Sequence, residues 1–270
     1  MDFLNKKYNE FAKSEHYFNL RVFVNILTGC LVVIVYFYQN SISLAVLLFV
    51  LPIVAFVLNE ISIYHRKQAS KLRRYSLLED SLGYKPSDVE IAQTNLDIKH
   101  DKVLAKEIQN SYFGSKKSPG YARLLDNIAE SAFFTKNLSA KYFWWLIIIL
   151  GIIFTVVMTF MIFSLVSGLN TGLGKIIGKI GSVVVLYLLA GDIAFMIIRY
   201  RYQLRECEIV LAKCDKLLKQ YPLDISAVIE LLVRYNCSAD GALVIPEKLY
   251  LKHRESLNKS WQIYLDAPSK

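Results

Sequence analysis

Four long apolar stretches, joined in pairs by very short turns, constrain this chain more than any other feature. In chain order they run from Val22 to Tyr38, Ile42 to Leu58, Tyr142 to Leu169, and Ile176 to Ile198. A helix needs roughly 20 predominantly apolar residues to cross a bilayer. Three residues separate the first two stretches and six separate the last two, so each pair predicts a tight antiparallel hairpin. We therefore expect an all-α membrane protein with four transmembrane helices.

The distribution of Lys and Arg predicts the orientation of these helices. The chain carries 4 of them before residue 22, 14 between residues 59 and 141, and 12 after residue 198. Lysine and arginine near span ends stay in the cytoplasm, so both termini and the long middle segment are expected there. The formal net charge of +9 then follows from topology. The positive net charge therefore does not have to be explained by a DNA or RNA polymer as a partner.

This topology divides the chain into five segments. They are a cytoplasmic N-terminal segment, a first transmembrane hairpin, a cytoplasmic helical insert, a second hairpin and a cytoplasmic helical tail, at residues 1–21, 22–58, 59–141, 142–198 and 199–270. The insert and the tail show helical spacing of apolar residues and no strand-like alternation. We therefore expect a helical cytoplasmic domain built from both.

Local signals predict where several cytoplasmic helices begin and end. Gly83 is a good C-terminal stop for the helix that leaves the second span. Ser87 with Glu90 forms a capping-box pattern that starts another helix. The segment "FGSKKSPG", residues 113 to 120, is the open loop of the insert, and Pro246 suits a helix N-terminus.

The tail begins with a short heptad pattern that predicts one buried seam. Its positions alternate in steps of three and four: Leu204, Cys207, Leu211, Cys214, Leu218 and Tyr221.

No catalytic signature is present in the sequence. It lacks the phosphate-loop motif, the dinucleotide-binding glycine motif, H-E-x-x-H and G-x-S-x-G. The glycine-rich "GLGKIIGKIG" lies at the outer end of the fourth span, where helix packing explains it better. The four cysteines form no C-x-x-C pair, and the four histidines are scattered. We therefore expect a protein that is not an enzyme, with no catalytic residue, no metal site and no cofactor.

Three segments carry a likeness to a known family: "KQASKLRRY" after the second span, "GYKPSD" in the insert, and "IPEKLYLKHRESLNKSW" in the tail. Together with the order and spacing of the spans, they make the chain resemble the SMODS-associated four-transmembrane effectors of bacterial cyclic-oligonucleotide (CBASS-type) antiphage defence. The resemblance implies an effector that senses a cyclic di- or trinucleotide with its cytoplasmic part. It also implies disruption of the bacterial inner membrane in abortive infection.

Cations mixed with flat side chains could bind such a ligand, because phosphates need positive charge and bases need stacking partners. Three segments offer this mixture: "KLRRY", "KKSPGYAR" and "YLKHR". The candidate ligand-binding residues are Arg73, Arg74, Lys116, Lys117, Tyr121, Arg123, Tyr250, Lys252 and Arg254. For each cluster the alternative is a solvated basic face or contact with anionic lipid. The second cluster is the best candidate, since a flexible loop before a helix N-terminus can close on an anion.

Asp192 is a carboxylate inside the fourth apolar stretch, where a buried charge is costly and has a partner or a function. Gly174, Gly178 and Gly181 share its helix face, and small residues on one face allow close helix approach. Asn25 should lie at a similar depth in the first span. Two interpretations stay open: Asp192 holds helices together through hydrogen bonds, for example with Asn25, or it lines an ion path when subunits assemble.

Two function classes remain open at this stage. One is the ligand-gated, membrane-disrupting effector, which is expected to be a homo-oligomer because a single four-helix bundle has no room for a pore. The other is a non-enzymatic membrane scaffold or accessory subunit whose helical tail docks a cytoplasmic partner.

Overall fold

A computed structural model of the chain describes residues 3–37, 42–90, 113–166, 192–241 and 245–266. Six long helices make up most of these ranges: α1 (Phe3–Phe37), α2 (Ile42–Leu82), α3 (Tyr121–Val166), α4 (Asp192–Leu218), α5 (Ile225–Gly241) and α6 (Glu247–Asp266). No residue in the described ranges is in a strand. The expectation of a helical protein is therefore confirmed for this part of the chain.

The chain divides into two compact units. The first unit comprises Met1–His16, Ile61–Ala140 and Tyr202–Lys270. The second unit comprises Tyr17–Glu60 and Lys141–Arg201.

Two helices are long and apolar enough to cross a membrane. They are α2 and the stretch Tyr121–Thr155 of α3. Only 6% and 17% of their most apolar segments are buried, whereas the core helix of a soluble protein would be mostly buried. The other two predicted spans stay predictions, and most of the fourth falls outside the described residues.

The residues predicted for helix packing or a pore are described only in part. Gly174, Gly178 and Gly181 lie outside the described residues. Asp192 is the first residue of α4, with nothing described of its side chain, and Asn25 is half-buried within α1. Both interpretations of Asp192 therefore stay predictions.

The first unit has a continuous apolar core. It is formed by one face of α3, one face of α4 and one face of α5, with contributions from α2 and α6. Its fully buried members include Leu125 and Ile128 of α3, Val210 of α4 and Val228 of α5. Burial of apolar surface contributes roughly 25 cal/mol per Å², so this core is the main source of stability for the unit.

Most of the predicted helix boundaries in the first unit are confirmed. Gly83 adopts a left-handed φ of 69° directly after α2, and its N–H donates to the Glu79 carbonyl at 3.0 Å, as in a glycine C-cap. The Ser87 amide donates to Glu90 Oε2 at 2.9 Å, and the Glu90 amide donates back to Ser87 Oγ at 3.3 Å. This reciprocal pair is the predicted capping box.

The loop at residues 113 to 120 is non-helical and α3 starts at Tyr121. At the other end of the chain, α6 starts directly after Pro246. The predicted positions of both features are therefore confirmed.

The predicted seam on α4 is correct in its middle and wrong at its C-terminal end. Cys207 and Cys214 are buried, as expected, but Leu218 and Tyr221 are exposed. Leu217 is buried instead. The helix α4 ends at Leu218, so Tyr221 lies beyond it and cannot continue its buried face. Leu217 follows the buried Val210 by seven residues and therefore shares its face.

Candidate ligand pocket in the first unit

The first unit contains a pocket of about 460 Å³, a volume suited to one small-molecule ligand. Five of the helices contribute residues that are three or four positions apart and so share one helix face. The described lining includes Lys7, Tyr8, Phe11, Glu15, Arg66, Ser70, Arg73, Gly114, Glu130, Phe134, Gln203, Tyr235, Tyr250, Arg254, Asn258 and Trp261. Cations, carboxylates, amides and aromatic rings thus face one cavity.

The first turns of α1 form one wall of the pocket. They are fixed against α2 by polar contacts on the neighbouring face: the buried Glu10 carboxylate lies 2.7 Å from His65 Nδ1. Ser14 and Ser62 each donate a hydrogen bond to the other's backbone carbonyl at 2.8 Å. These buried contacts hold the pocket face of α1 in a defined orientation.

Lys7 on this wall is buried, with 2% of its surface exposed. Burial, and then the nearby Arg73 guanidinium, lower the pKa of Lys7 to about 7. Its Nζ lies 4.7 Å from the centre of the Tyr8 ring. A lysine in this environment gains favourable energy from an incoming anion, because the anion restores the stabilisation that water no longer provides.

Arg73 comes from the α2 wall, together with Arg66 one heptad earlier. Its guanidinium lies over the Tyr235 ring at 5.1 Å, and its polar contacts are long: 3.4 Å to the Tyr235 hydroxyl, and 4.0 Å to the Asp240 carboxylate. Asp240 is held by Arg74 at 2.6 Å instead. Among the residues that the structure describes, the charge of Arg73 is therefore only loosely compensated.

Besides the charged groups, aromatic rings from α3, α5 and α6 line the pocket. The Trp261 ring is stacked on Tyr264 with an angle of 18° between the two planes, and it packs against Phe133. Burial raises the pKa of the Tyr250 hydroxyl; the Arg254 charge opposes this and the Glu130 charge adds to it. Flat, fixed rings of this kind are stacking surfaces for nucleobases.

Gln203 adds an amide group to the lining. Its side chain is buried, with 3% of its surface exposed, and its Oε1 accepts no hydrogen bond within the described part of the chain. Buried polar atoms in native proteins almost always have a partner. The Gln203 carbonyl oxygen is therefore suited to accept a hydrogen bond from a ligand in the pocket.

The charges of the lining favour an anionic ligand. Four cations, Lys7, Arg66, Arg73 and Arg254, face two carboxylates, Glu15 and Glu130. The formal net charge of the lining is thus +2 when Lys7 is protonated. In a partly enclosed site with a reduced dielectric constant, such an excess attracts anions strongly.

The pocket brings together one residue of the first predicted cluster, Arg73, and two of the third, Tyr250 and Arg254. Two other predicted cations are engaged by carboxylates elsewhere. Arg123 forms a two-pronged contact with Asp80 at 2.8 and 3.0 Å, and Lys117 contacts Asp126 at 2.9 Å.

The remaining predicted candidates also lie outside the lining that the structure describes. Lys116, Tyr121 and Lys252 are exposed, and Arg74 is paired with Asp240. The predicted cluster "KKSPGYAR" is therefore not assembled around this cavity.

Sequence reasoning missed Lys7, Arg66, Glu130, Gln203 and Trp261. One weak signal was available: Arg66 and Arg73 are seven residues apart and share a helix face, as do Tyr250, Arg254 and Trp261. Nothing in the sequence indicated that these two faces meet, since nearly two hundred residues separate them.

A scan against protein-family models, a search of curated proteins and a search of solved structures each found no match to this chain. The resemblance to the four-transmembrane effectors therefore stays a prediction.

Proposed function

We propose that this protein is a membrane effector that binds a cyclic oligonucleotide in the pocket of the first unit and then oligomerises or opens to disrupt the bacterial inner membrane. In this proposal the chain crosses the membrane four times, both termini are cytoplasmic, and the ligand approaches from the cytoplasm. The supporting observation is the pocket itself, which combines four cations with the rings of Tyr8, Tyr235, Tyr250 and Trp261.

The side chains of the pocket suit both chemical parts of a cyclic oligonucleotide, its phosphates and its bases. Each phosphodiester of a cyclic oligonucleotide carries one negative charge, and guanidinium groups are well suited to contact phosphate oxygens. Each base offers a flat face to an aromatic ring. The two candidate membrane-crossing helices, α2 and α3, also contribute pocket residues in their first-unit portions. In this proposal each of the two helices therefore takes part in both ligand binding and membrane crossing.

The test is a binding measurement on detergent-purified protein with a panel of cyclic di- and trinucleotides. A ligand at a hundred times its dissociation constant stabilises the folded state by about 2.7 kcal/mol, so a binding ligand should raise the melting temperature measurably. We expect Lys7→Met to weaken the binding, because methionine keeps the buried aliphatic stem but removes the charge.

Lys117→Met is the matched control, since Lys117 is exposed and lies outside the pocket lining. We expect this variant to bind like the wild-type protein. If no member of the panel shifts the melting temperature, or if both variants lose binding equally, the pocket is not a cyclic-oligonucleotide site.

The proposed membrane step is tested separately through Asp192. If Asp192 lines a conducting path, Asp192→Asn should change the ion selectivity of ligand-induced depolarisation, because asparagine keeps the size and removes the charge. If it only packs helices, Asp192→Asn should be silent, and Asp192→Leu should lose about 1–2 kcal/mol of stability. Depolarisation is measured in cells at matched expression of both variants.

An exposed apolar stripe on α5 supports the second candidate function, a scaffold that docks a partner through its tail. Ile225, Ile229 and Val233 are four residues apart on one helix face, and each is about half exposed. Such stripes are typical of helix–helix contacts between proteins. A scaffold would keep its partner in pull-down assays when Lys7 is replaced and lose it with Ile229→Glu.

A further inference from the structure

The pocket contains a carboxylate, Glu130, that an anion-binding site does not need. Glu130 lies on α3 and lines the pocket together with Gly114 and the aromatic residues of α6. The Gly114 amide donates a hydrogen bond to Glu130 Oε2 at 2.9 Å. This bond fixes the orientation of the carboxylate within the lining.

Glu130 has unused capacity to accept hydrogen bonds. A carboxylate has about four acceptor positions, and within the described ranges Gly114 is the only residue that donates to it. No described Lys, Arg or His forms an ion pair with it. Burial, followed by the charges of Asp80 and Asp126, raises the pKa of the Glu130 carboxyl, while the Gly114 amide opposes this. A ligand that donates hydrogen bonds would relieve this unfavourable environment.

The neighbours of Glu130 are suited to a base rather than to a phosphate. The rings of Tyr250 and Trp261 line the same pocket as this carboxylate. Lys7 and Arg73, on α1 and α2, are the cations of the lining that are suited to phosphate. A base stacked on the aromatic surface would present its edge, and not its backbone, to Glu130.

We propose that Glu130 determines base specificity by accepting hydrogen bonds from the Watson–Crick edge of a guanine in the ligand. Guanine presents two adjacent donors, N1–H and the N2 amino group, which match the two oxygens of one carboxylate. Adenine presents one donor beside an acceptor nitrogen, which a carboxylate repels. This inference rests on the proposed function, since it assigns the specificity of the same pocket.

The experiment compares matched guanine and adenine ligands by isothermal titration calorimetry. The probes are cyclic di-GMP against cyclic di-AMP, and a cyclic trimer with one guanine and two adenines against the all-adenine trimer. A bidentate pair typically discriminates between bases by a factor of about ten to a hundred. We expect the wild-type protein to prefer the guanine member of at least one pair by such a factor.

Glu130→Gln should abolish or reverse this preference, because a glutamine amide offers one donor and one acceptor and so matches adenine. The variant keeps an oxygen for the Gly114 amide, so the fold should be preserved. Glu255→Gln, which changes an exposed carboxylate of α6 outside the pocket lining, is the matched control and should keep the guanine preference.

The outcomes separate this inference from the proposed function. Equal binding of guanine and adenine ligands, or a preference that survives Glu130→Gln, would overturn the assignment of Glu130 and leave the pocket as a cyclic-oligonucleotide site. Absence of binding by every probe would overturn the proposed function together with it.

Discussion

The two units of this protein use the same kind of helix in opposite ways. In the first unit, apolar side chains such as Ile128 and Val210 are completely buried in one core. In the second unit, large apolar side chains such as Phe49 and Trp144 are more than 60% exposed. A hydrophobic surface of this extent is not stable in water. The difference separates a unit with a buried apolar core of its own from one whose two candidate membrane-crossing segments expose large apolar side chains.

The helix α3 contains both environments, and this provides the sharpest test of the comparison. Ile128→Ala should cost about 2–5 kcal/mol of unfolding free energy, because it leaves a cavity in the core. Ile148→Ala, on the same helix but 58% exposed, should change stability by less than about 0.5 kcal/mol. Thermal unfolding of the detergent-solubilised variants measures both. Equal losses at the two positions would contradict the comparison.

The second prediction asks whether the exposed apolar surface faces lipid. Lysine near the centre of a membrane helix opposes insertion by about 2.5–3.5 kcal/mol. We therefore expect Ile152→Lys to reduce the fraction of protein that remains in membranes after an alkaline wash. Val89→Lys, at a still more exposed position of the first unit, should have no effect. If the two variants fractionate alike, the second unit does not need a bilayer.

The third prediction concerns the buried charge of the first unit. Lys7 has a folded pKa of about 7, far below its ordinary value of 10.5. Above about pH 7 the unfolded chain therefore binds a proton that the folded chain does not, and stability rises with pH. Between about pH 7 and pH 8.5 this group should add about 1–2 kcal/mol.

The measurement is the melting temperature across this pH range, for wild-type protein and for Lys7→Met. The difference between the two curves isolates Lys7 from all other titrating groups. Parallel curves would show that Lys7 remains accessible to water in the folded protein.

The smallest expected effect lies at a helix end of the first unit. Ser87→Ala removes half of the capping box with Glu90 and should cost about 1 kcal/mol locally. Hydrogen exchange of the amides at residues 88–90 should become faster. Ser256→Ala is the control, because that hydroxyl bonds only a backbone carbonyl within α6 and caps no helix end. Unchanged exchange at residues 88–90 would mean that the cap contributes nothing.

Much of the fold could be predicted from the sequence because its signals are local. Gly83 ends α2 through its own backbone conformation, and the contact between Ser87 and Glu90 spans only three residues. The apolar stretch of α2 is also continuous in the sequence. Each of these features is decided within one helix or one turn.

The candidate site could not be predicted in the same way, because its residues come from distant parts of the chain. Arg123 and Arg73 look alike in sequence, since both are cations two residues from a tyrosine. Asp80 neutralises the first across 43 residues, while the second remains loosely compensated in the pocket. Lys7 is even harder to predict as a pocket residue, because lysine is almost never buried and its residue type alone predicts a solvated side chain.

The cysteines of the protein have a practical consequence. Burial raises the pKa of the Cys207 and Cys214 thiols to about 12, so neither forms the reactive thiolate near neutral pH. Cys237 is exposed on α5, two residues from Tyr235 on the pocket wall. Cys30 is exposed as well, but in the proposed topology it lies within the first membrane span. A charged, water-soluble maleimide dye should therefore label the unaltered protein at Cys237 and avoid the other three thiols. Cys237 thus offers a site for a fluorescent label on α5 without any engineered residue.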